Sequence, residues 1–289
     1  MLLNDAVALA KKDAVDVVLA VVGLDERSES EGLDRSTMAI PQAQNDLVTA
    51  LAKTGKPVVI VLVAGSPVEL PWFNDVAAML YVGLSGQAGA SATVRALTGE
   101  VNPSGHLAET WPMQYEDCPS SGWYPAIGRD AIYREGPFVG YRYYETVGVP
   151  VRFPFGYGLS YSTFTYSAIT ATATGVDFVV TNDSDVAGST VAQLYVRAPQ
   201  GGVLHPDREL KASSRSSWQR MKARACTSIS TATRSAISML PPMHGRRKAA
   251  NGRCWSATMR SICRLRFLTP WPAIARPPIA PPIPRSATI

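Results

Sequence analysis

The chain has 289 residues, of which 46% are hydrophobic, and its mean hydropathy is +0.01. These values describe a globular protein that is long enough for two domains, each with a buried core. They exclude a transmembrane helix, because no run of about 18 apolar residues is present.

The net charge of +5 is unevenly distributed along the chain. Residues 1–211 contain 14 basic and all 23 acidic residues, a formal charge of −9, whereas residues 212–289 contain 14 basic and no acidic residues. A basic tail can bind nucleic acid, but this one is rich in Arg, Ser, Ala and Pro, as a GC-rich gene read out of frame would be. We therefore predict a frameshift near Ala212, an unstructured tail over 212–289 and no nucleic-acid partner.

The first residues of the chain predict a helix over 2–12 and then a buried strand over 16–24. The N-terminus lacks the basic start and long apolar run of a signal peptide, so we expect the chain to begin inside a larger protein. Residues 1–211 contain a single cysteine, Cys118, which allows no disulfide within them. These features predict a reducing, cytoplasmic location and no membrane partner.

The next hundred residues alternate between apolar runs and helical patterns. A polar, acidic loop over 25–41 is followed by a predicted helix over 42–54 and a buried strand over 58–63. A further apolar run over 76–82 precedes a helix over 91–97. Strand, loop and helix in repeated order are typical of a parallel α/β sheet.

The period changes in the second half of the chain. Residues 99–160 are rich in Gly, Pro and aromatic residues, which predicts long ordered loops. After residue 164 apolar and polar residues alternate with a period of two, and about four short strands fit before residue 211, whereas a β-sandwich normally has seven. The fold class is therefore a parallel-sheet α/β sandwich domain followed by a truncated β-sandwich and a tail.

The acidic loop contains the candidate catalytic residue. Residues 30–35 read Ser-Glu-Gly-Leu-Asp-Arg and lie in the loop that follows the strand predicted over 16–24. Ligands of open α/β sheets bind at the carboxyl ends of the strands, and Gly32 allows a substrate to approach closely. Glu31 is therefore a candidate general acid/base, and Glu29 is the second choice because the Glu-x-Glu spacing allows a shift of two residues in the motif. A solvated acidic loop is the alternative interpretation.

Several longer motifs resemble glycoside hydrolase family 3 in the same order. Residues 22–25 (Val-Gly-Leu-Asp) and 30–35 resemble its acid/base loop, and residues 56–68, 99–107, 139–144 and 153–164 resemble the rest of its C-terminal domain. Residues 188–196 and 205–211 are similar to the fibronectin-III-like domain that follows it in bacterial β-glucosidases. The resemblance stops at Lys211.

This resemblance implies the domains and the mechanism. Residues 1–164 would form the C-terminal α/β sandwich domain, 165–211 a partial fibronectin-III-like domain, and 212–289 the basic tail. The family implies a retaining β-glucosidase in which Glu31 is the acid/base and an Asp nucleophile lies in an N-terminal (β/α)8 barrel that this chain lacks. We expect the isolated chain to be inactive, with a β-linked oligosaccharide or glycoside as the substrate of the intact enzyme.

Three alternatives stay open. The chain is a fragment of a β-xylosidase or α-arabinofuranosidase of the same family, a non-catalytic carbohydrate-binding or interaction module, or a nucleic-acid-binding protein through its tail. No cofactor is predicted, and no metal site either, because His106 and His205 have no Cys or His neighbours at ligand spacing. Six aromatic residues are expected to pack at a domain interface rather than to stack on sugar: Tyr141, Tyr143, Tyr144, Phe153, Phe155 and Tyr157.

Overall fold

A computed structural model describes residues 2–125, 128–130, 132–171, 175–197, 204–218 and 223–230. The chain divides into two compact units. The first contains Met1–Val101 and Leu107–Phe155, and the second contains Asn102–His106 and the described residues from Gly156 onward.

The first unit alternates helices and strands, as the sequence predicts. Its elements, in chain order, are α1 (Leu2–Ala10), β1 (Val18–Gly23), α2 (Gln42–Ala52), β2 (Val58–Val63), β3 (Ala78–Tyr81), α3 (Gly89–Leu97), β4 (Trp111–Pro112), α4 (Tyr141–Val147) and β5 (Val151–Phe153). Two short 3₁₀ helices span Phe73–Asp75 and Tyr115–Asp117.

The three apolar runs form one parallel sheet with the order β1-β2-β3. Val18 is paired with Val58 and Gly23 with Val63, so β1 and β2 end at the same edge of the sheet. The central strand, Val-Val-Ile-Val-Leu-Val, is apolar throughout because its neighbours and the helices cover it, which is typical of parallel strands. The predicted parallel α/β sheet is confirmed.

The core of this unit includes residues of β2 and α2. Ile60 and Leu62 of β2 are fully buried, as is Val48 of α2, and Leu51 of α2 is also buried. Asn45 is also buried, and its side-chain oxygen accepts a hydrogen bond from the indole N–H of Trp72 at 2.8 Å. Each of these two buried polar groups therefore has a hydrogen-bond partner.

Five of the six aromatic residues expected at a domain interface have ring contacts within the first unit, and their place at an interface stays a prediction. Phe153 contacts Trp111 and Phe73, with ring centroids 5.6 and 5.2 Å apart, and Tyr141 contacts Phe155 at 5.1 Å. Tilted and edge-on rings at these distances are ordinary core packing.

The second unit is built of antiparallel strands. They are β6 (Phe164–Ala171), β7 (Gly175–Asn182), β8 (Gly188–Val196), β9 (Glu209–Trp218) and β10 (Ala223–Ser230). They form a three-stranded sheet, β10-β7-β6, and a two-stranded sheet, β8-β9. Alternate residues of β7 and β8 share one apolar core: Val176, Phe178, Val180, Ala192 and Leu194.

The second unit includes residues before the boundary predicted at 164/165. Asn102 bonds through its side chain to Ser160, Ser162 and the backbone N–H of Tyr161, all at 2.8 Å. A Cβ on Gly158 would lie 2.2 Å from the backbone oxygen of Gly105, so these two backbone segments are in direct contact. The boundary between the units depends on contacts between segments that are distant in sequence. A change in the hydrophobic period along the chain does not reveal such contacts.

Strands continue past the point where the sequence predicts an unstructured tail. β9 pairs with β8 from Glu209 to Trp218, and β10 pairs with β7. Strand pairing uses backbone groups, so a strand rich in Ser and Arg can form. Ala212 of β9 packs against the apolar core that β7 and β8 share. The rest of the predicted tail, residues 219–222 and 231–289, lies outside the described residues, and the frameshift stays a prediction.

No helix in the part of the chain that the structure describes is long and apolar enough to cross a membrane.

Candidate active site

The loop with the predicted acid/base residue leaves β1 where the first two strands are in closest contact. A Cβ on Gly23 would lie 1.8 Å from the backbone oxygen of Val63, so only glycine fits at the end of β1. The Gly23 N–H donates to the side-chain oxygen of Gln44 at 2.7 Å, which ties the strand end to α2. The loops that follow β1 and β2 therefore start side by side.

The first turn of this loop is closed by Asp25. Its carboxylate accepts hydrogen bonds from the backbone N–H of Ser28 at 3.0 Å and from the Ser28 hydroxyl at 2.8 Å. These two bonds stabilise the charged form and lower the pKa of Asp25. Asp25 therefore stabilises the conformation of this turn.

Glu31 lies at the tip of a tight turn. The Leu33 N–H donates to the Ser30 carbonyl at 3.4 Å, and the two residues form an isolated bridge. Gly32 has a φ of 78°, the value required of the third residue of a type II turn. Glu31 is thus the second residue of the turn, and it is exposed. Among the described residues, its carboxylate has no ion-pair partner.

Glu29, the second choice for the acid/base, is held by protein donors. One carboxylate oxygen accepts the backbone N–H of Gly65 at 2.7 Å, and the other accepts the hydroxyl of Ser66. The second oxygen also lies 3.9 Å from a guanidinium nitrogen of Arg35. Both oxygens of Glu29 are engaged within the protein, whereas the carboxylate of Glu31 is exposed.

Asp34 binds a residue far away in sequence. The Tyr124 hydroxyl donates to its carboxylate at 2.6 Å, and this bond to a negatively charged acceptor raises the pKa of Tyr124. The bond joins the loop to the segment before α4 across 90 positions. Sequence reasoning missed Tyr124, because a single tyrosine in a long loop has no local pattern that marks it.

Two further titratable groups lie in the field of Glu29. Burial and then the charge of Glu29 raise the pKa of Glu109, while burial, Glu109 and Glu29 raise the pKa of Tyr81. No pattern in the sequence marks either residue, since they are 28 positions apart and lie in different segments.

Neither histidine singled out in the sequence belongs to a group of metal ligands. The ring of His106 lies 3.1 Å from the Ser104 carbonyl and 3.4 Å from the Thr190 hydroxyl, and burial lowers its pKa. His205 contacts the carbonyl of Pro206 at 2.9 Å. Within the described ranges, no cluster of three or more His, Cys, Asp or Glu side chains is arranged to hold a metal ion.

Comparison with protein families places residues 3–161 in one family model, described as the glycosyl hydrolase family 3 C-terminal domain. This match covers more than half of the chain and includes the whole loop that contains Glu29, Glu31 and Arg35.

Relatives align beyond this range. The thermostable beta-glucosidase B of Acetivibrio thermocellus is 44% identical over 218 residues, which are 73% of this chain and 29% of that protein. An exo-alpha-(1->6)-L-arabinopyranosidase of Bifidobacterium breve is 41% identical over 214 residues, 72% of this chain and 28% of that protein. The chain spans less than a third of the length of these curated relatives.

Solved structures show the same fold. A GH3 beta-glucosidase of Bifidobacterium adolescentis matches with a TM-score of 0.73 at 40% identity, over 78% of this chain and 34% of that one. The beta-glucosidase of Kluyveromyces marxianus in complex with glucose also has a TM-score of 0.73, at 36% identity, over 78% of this chain and 28% of that one.

Proposed function

Because the chain belongs to glycosyl hydrolase family 3, we propose that it supplies the general acid/base of a retaining β-glucosidase. In this proposal Glu31 is the acid/base, and an Asp nucleophile lies on a (β/α)8 barrel that is not among the residues of this chain. The substrate is a β-linked glucoside with a terminal, non-reducing glucose.

The chemistry needs a carboxyl group on each side of the scissile bond. In a retaining enzyme these groups are about 5–5.5 Å apart, and one attacks the anomeric carbon while the other protonates the departing oxygen. The same acid/base then takes a proton from the water that releases the sugar. A chain with one of the two groups completes neither step, so we expect no turnover by the isolated chain.

The single observation that supports Glu31 in this role is its place at the tip of the Ser30–Leu33 turn. The side chain is exposed and follows the carboxyl end of a parallel strand, where ligands of α/β sheets bind. Glu29, by contrast, is engaged with Gly65, Ser66 and Arg35.

The proposal has a second candidate for the sugar. One relative is a beta-glucosidase and another of similar identity removes a pentose, arabinopyranose, so a pentose-specific β-xylosidase or α-arabinofuranosidase is the second candidate. A panel of aryl glycosides that differ only in the sugar distinguishes these substrates.

The test joins the full chain to a catalytic partner. The segment of the Acetivibrio thermocellus enzyme that precedes its aligned region is fused to this chain, and hydrolysis of aryl β-glucosides is measured for the fusion and for the isolated chain. We expect activity only in the fusion. Turnover by the isolated chain, or a folded but inactive fusion, would contradict the proposal, and the second result would favour a non-catalytic module.

Substitution of Glu31 then identifies its role. In the fusion, E31Q should lower kcat/KM for a phenyl β-glucoside by about 10²- to 10⁴-fold, the usual contribution of a general acid/base. With a dinitrophenyl leaving group, which departs without protonation, added azide should restore turnover and yield a β-glucosyl azide, because azide attacks without a base. E26Q, which alters another exposed acid of the same loop, is the control and should keep its activity.

A further inference from the structure

The two sides of the turn that presents Glu31 meet at one serine. Glu29 precedes Glu31 by two residues and Arg35 follows it by four, and both side chains contact Ser66. Ser66 follows β2 and is separated from the loop by more than 30 residues.

The contacts form a closed network, which we call the Ser66 clamp: Glu29, Arg35, Gly65 and Ser66. The Arg35 guanidinium donates to the Ser66 hydroxyl oxygen at 2.6 Å, and the same hydroxyl donates to Glu29. The Gly65 N–H donates to the other oxygen of Glu29 at 2.7 Å. The Ser66 hydroxyl thus donates to Glu29 on one side of the turn and accepts from Arg35 on the other. Alanine has no hydroxyl and can make neither bond.

The network is partly shielded from water. The side chains of Arg35 and Glu29 are only 19% and 21% exposed, whereas those of Arg95 and Glu100, an ion pair in the same unit, are 53% and 60% exposed. Charge-assisted hydrogen bonds hold more firmly where solvent competes less. The Ser66 clamp therefore restrains the loop more strongly than a surface pair would.

The clamp also connects the turn to the buried core of the first unit. Ser66 lies two positions after Ala64, which is fully buried, as are Ile60 and Leu62 of β2. A catalytic group works when packed neighbours hold it close to its productive geometry.

We propose that Ser66, through Glu29 and Arg35, positions the Glu31 carboxyl for proton transfer. This inference rests on the proposed function. Ser66, Glu29 and Arg35 are positioning residues, because none of them donates or accepts the transferred proton. Loss of the Ser66 clamp leaves Glu31 in the chain but widens the range of positions that its carboxyl occupies.

The experiment compares leaving groups of different acidity in the same fusion. S66A and E29Q should each lower kcat/KM about 10- to 100-fold for a phenyl β-glucoside, whose oxygen must be protonated, a loss of the size that a displacement of about 1 Å causes. For a dinitrophenyl β-glucoside, kcat/KM should change by less than about threefold, since cleavage of this bond needs no acid. The azide-dependent gain in kcat should appear in both variants.

A purely structural role would lower activity toward both substrates equally, in proportion to the folded fraction. The matched control is E100Q, which removes a carboxylate from the exposed ion pair with Arg95 and should affect neither substrate. If S66A fails to fold, E29Q answers the same question, because the amide introduced by E29Q retains an oxygen for the Gly65 N–H. Equal losses with both leaving groups, or no loss beyond that of E100Q, overturn the inference.

The two proposals fail in different ways. If E31Q keeps its activity, or loses activity that azide does not restore, the proposed function is wrong. If E31Q behaves as expected but S66A and E29Q show no dependence on the leaving group, only the positioning role is wrong.

Discussion

At the scale of single residues, the acids near the end of the sheet fall into distinct classes. Asp25 and Glu29 accept hydrogen bonds from nearby donors, Glu31 is exposed at the turn, and Glu109 is partly desolvated near the charge of Glu29. Their side-chain chemistry is nearly the same, so these carboxyl groups differ because their protein environments differ.

The raised pKa of Glu109 predicts how stability changes with pH. The folded state retains the Glu109 proton over a range, above the ordinary value of 4.5, in which the unfolded chain has lost it. Stability therefore falls as pH rises through the folded pKa, and the loss persists at neutral pH. E109Q cannot ionise and should melt about 2 °C higher than wild type at neutral pH, a small gain because solvent screens this side chain.

Thermal melts at two pH values check this prediction. Well below pH 4.5 the wild type is protonated at Glu109 in both states, and the gain from E109Q should vanish. A gain of equal size at both pH values would mean that packing, not ionisation, accounts for it.

At the scale of elements, the close approach of β1 and β2 determines where the loop that contains Glu31 begins. Parallel pairing brings Gly23 opposite Val63, and this register places the loop after β1 beside Gly65 and Ser66. The strands pair so tightly at this point that no side chain fits on Gly23. The Ser66 clamp depends on this register, since a shift of one residue would move Ser66 by about 3.3 Å along the strand.

This contact predicts the effect of a methyl group at the strand end. G23A should destabilise the chain by about 1–3 kcal/mol, because the added Cβ separates the ends of β1 and β2. Urea unfolding measures this change. G122A is the control, because a Cβ there meets no atom within 4 Å, and its midpoint should match wild type. An unchanged midpoint for G23A would show that the strands do not approach as closely as described.

At the scale of the whole molecule, the first unit has apolar residues on an open face of an edge strand. Leu19 and Val21 of β1 are 53% and 66% exposed, and they point to the same side because strand residues alternate. Among the described strands, β1 has one neighbour, β2. An edge strand with exposed apolar side chains is a site of self-association.

We therefore expect the isolated chain to self-associate through β1. V21K should lower the apparent mass in light scattering at high protein concentration, because a charge on the strand opposes pairing. V94K is the control, because Val94 is an exposed apolar residue on α3 and a lysine there should have little effect. Equal effects of the two substitutions would indicate nonspecific hydrophobic association.

The sequence by itself determined the local features of this protein. Continuous apolar runs predicted the parallel strands, and the Ser-Glu-Gly-Leu-Asp-Arg motif a few residues after the first run marked the loop with the acid/base candidates. These patterns involve only a few neighbouring residues, so they can be recognised without knowledge of the fold. They left Glu29 and Glu31 as alternatives, since both lie in the same acidic segment.

Only the tertiary structure shows how the surroundings of these two side chains differ. Glu29 meets Gly65 and Ser66 across 36 and 37 positions, and Asp34 meets Tyr124 across 90. Such contacts depend on the register of β1 with β2 and on the path of a long loop. The strands past residue 211 also formed against expectation, because their pairing uses backbone groups, which every sequence possesses, and so composition could not exclude it.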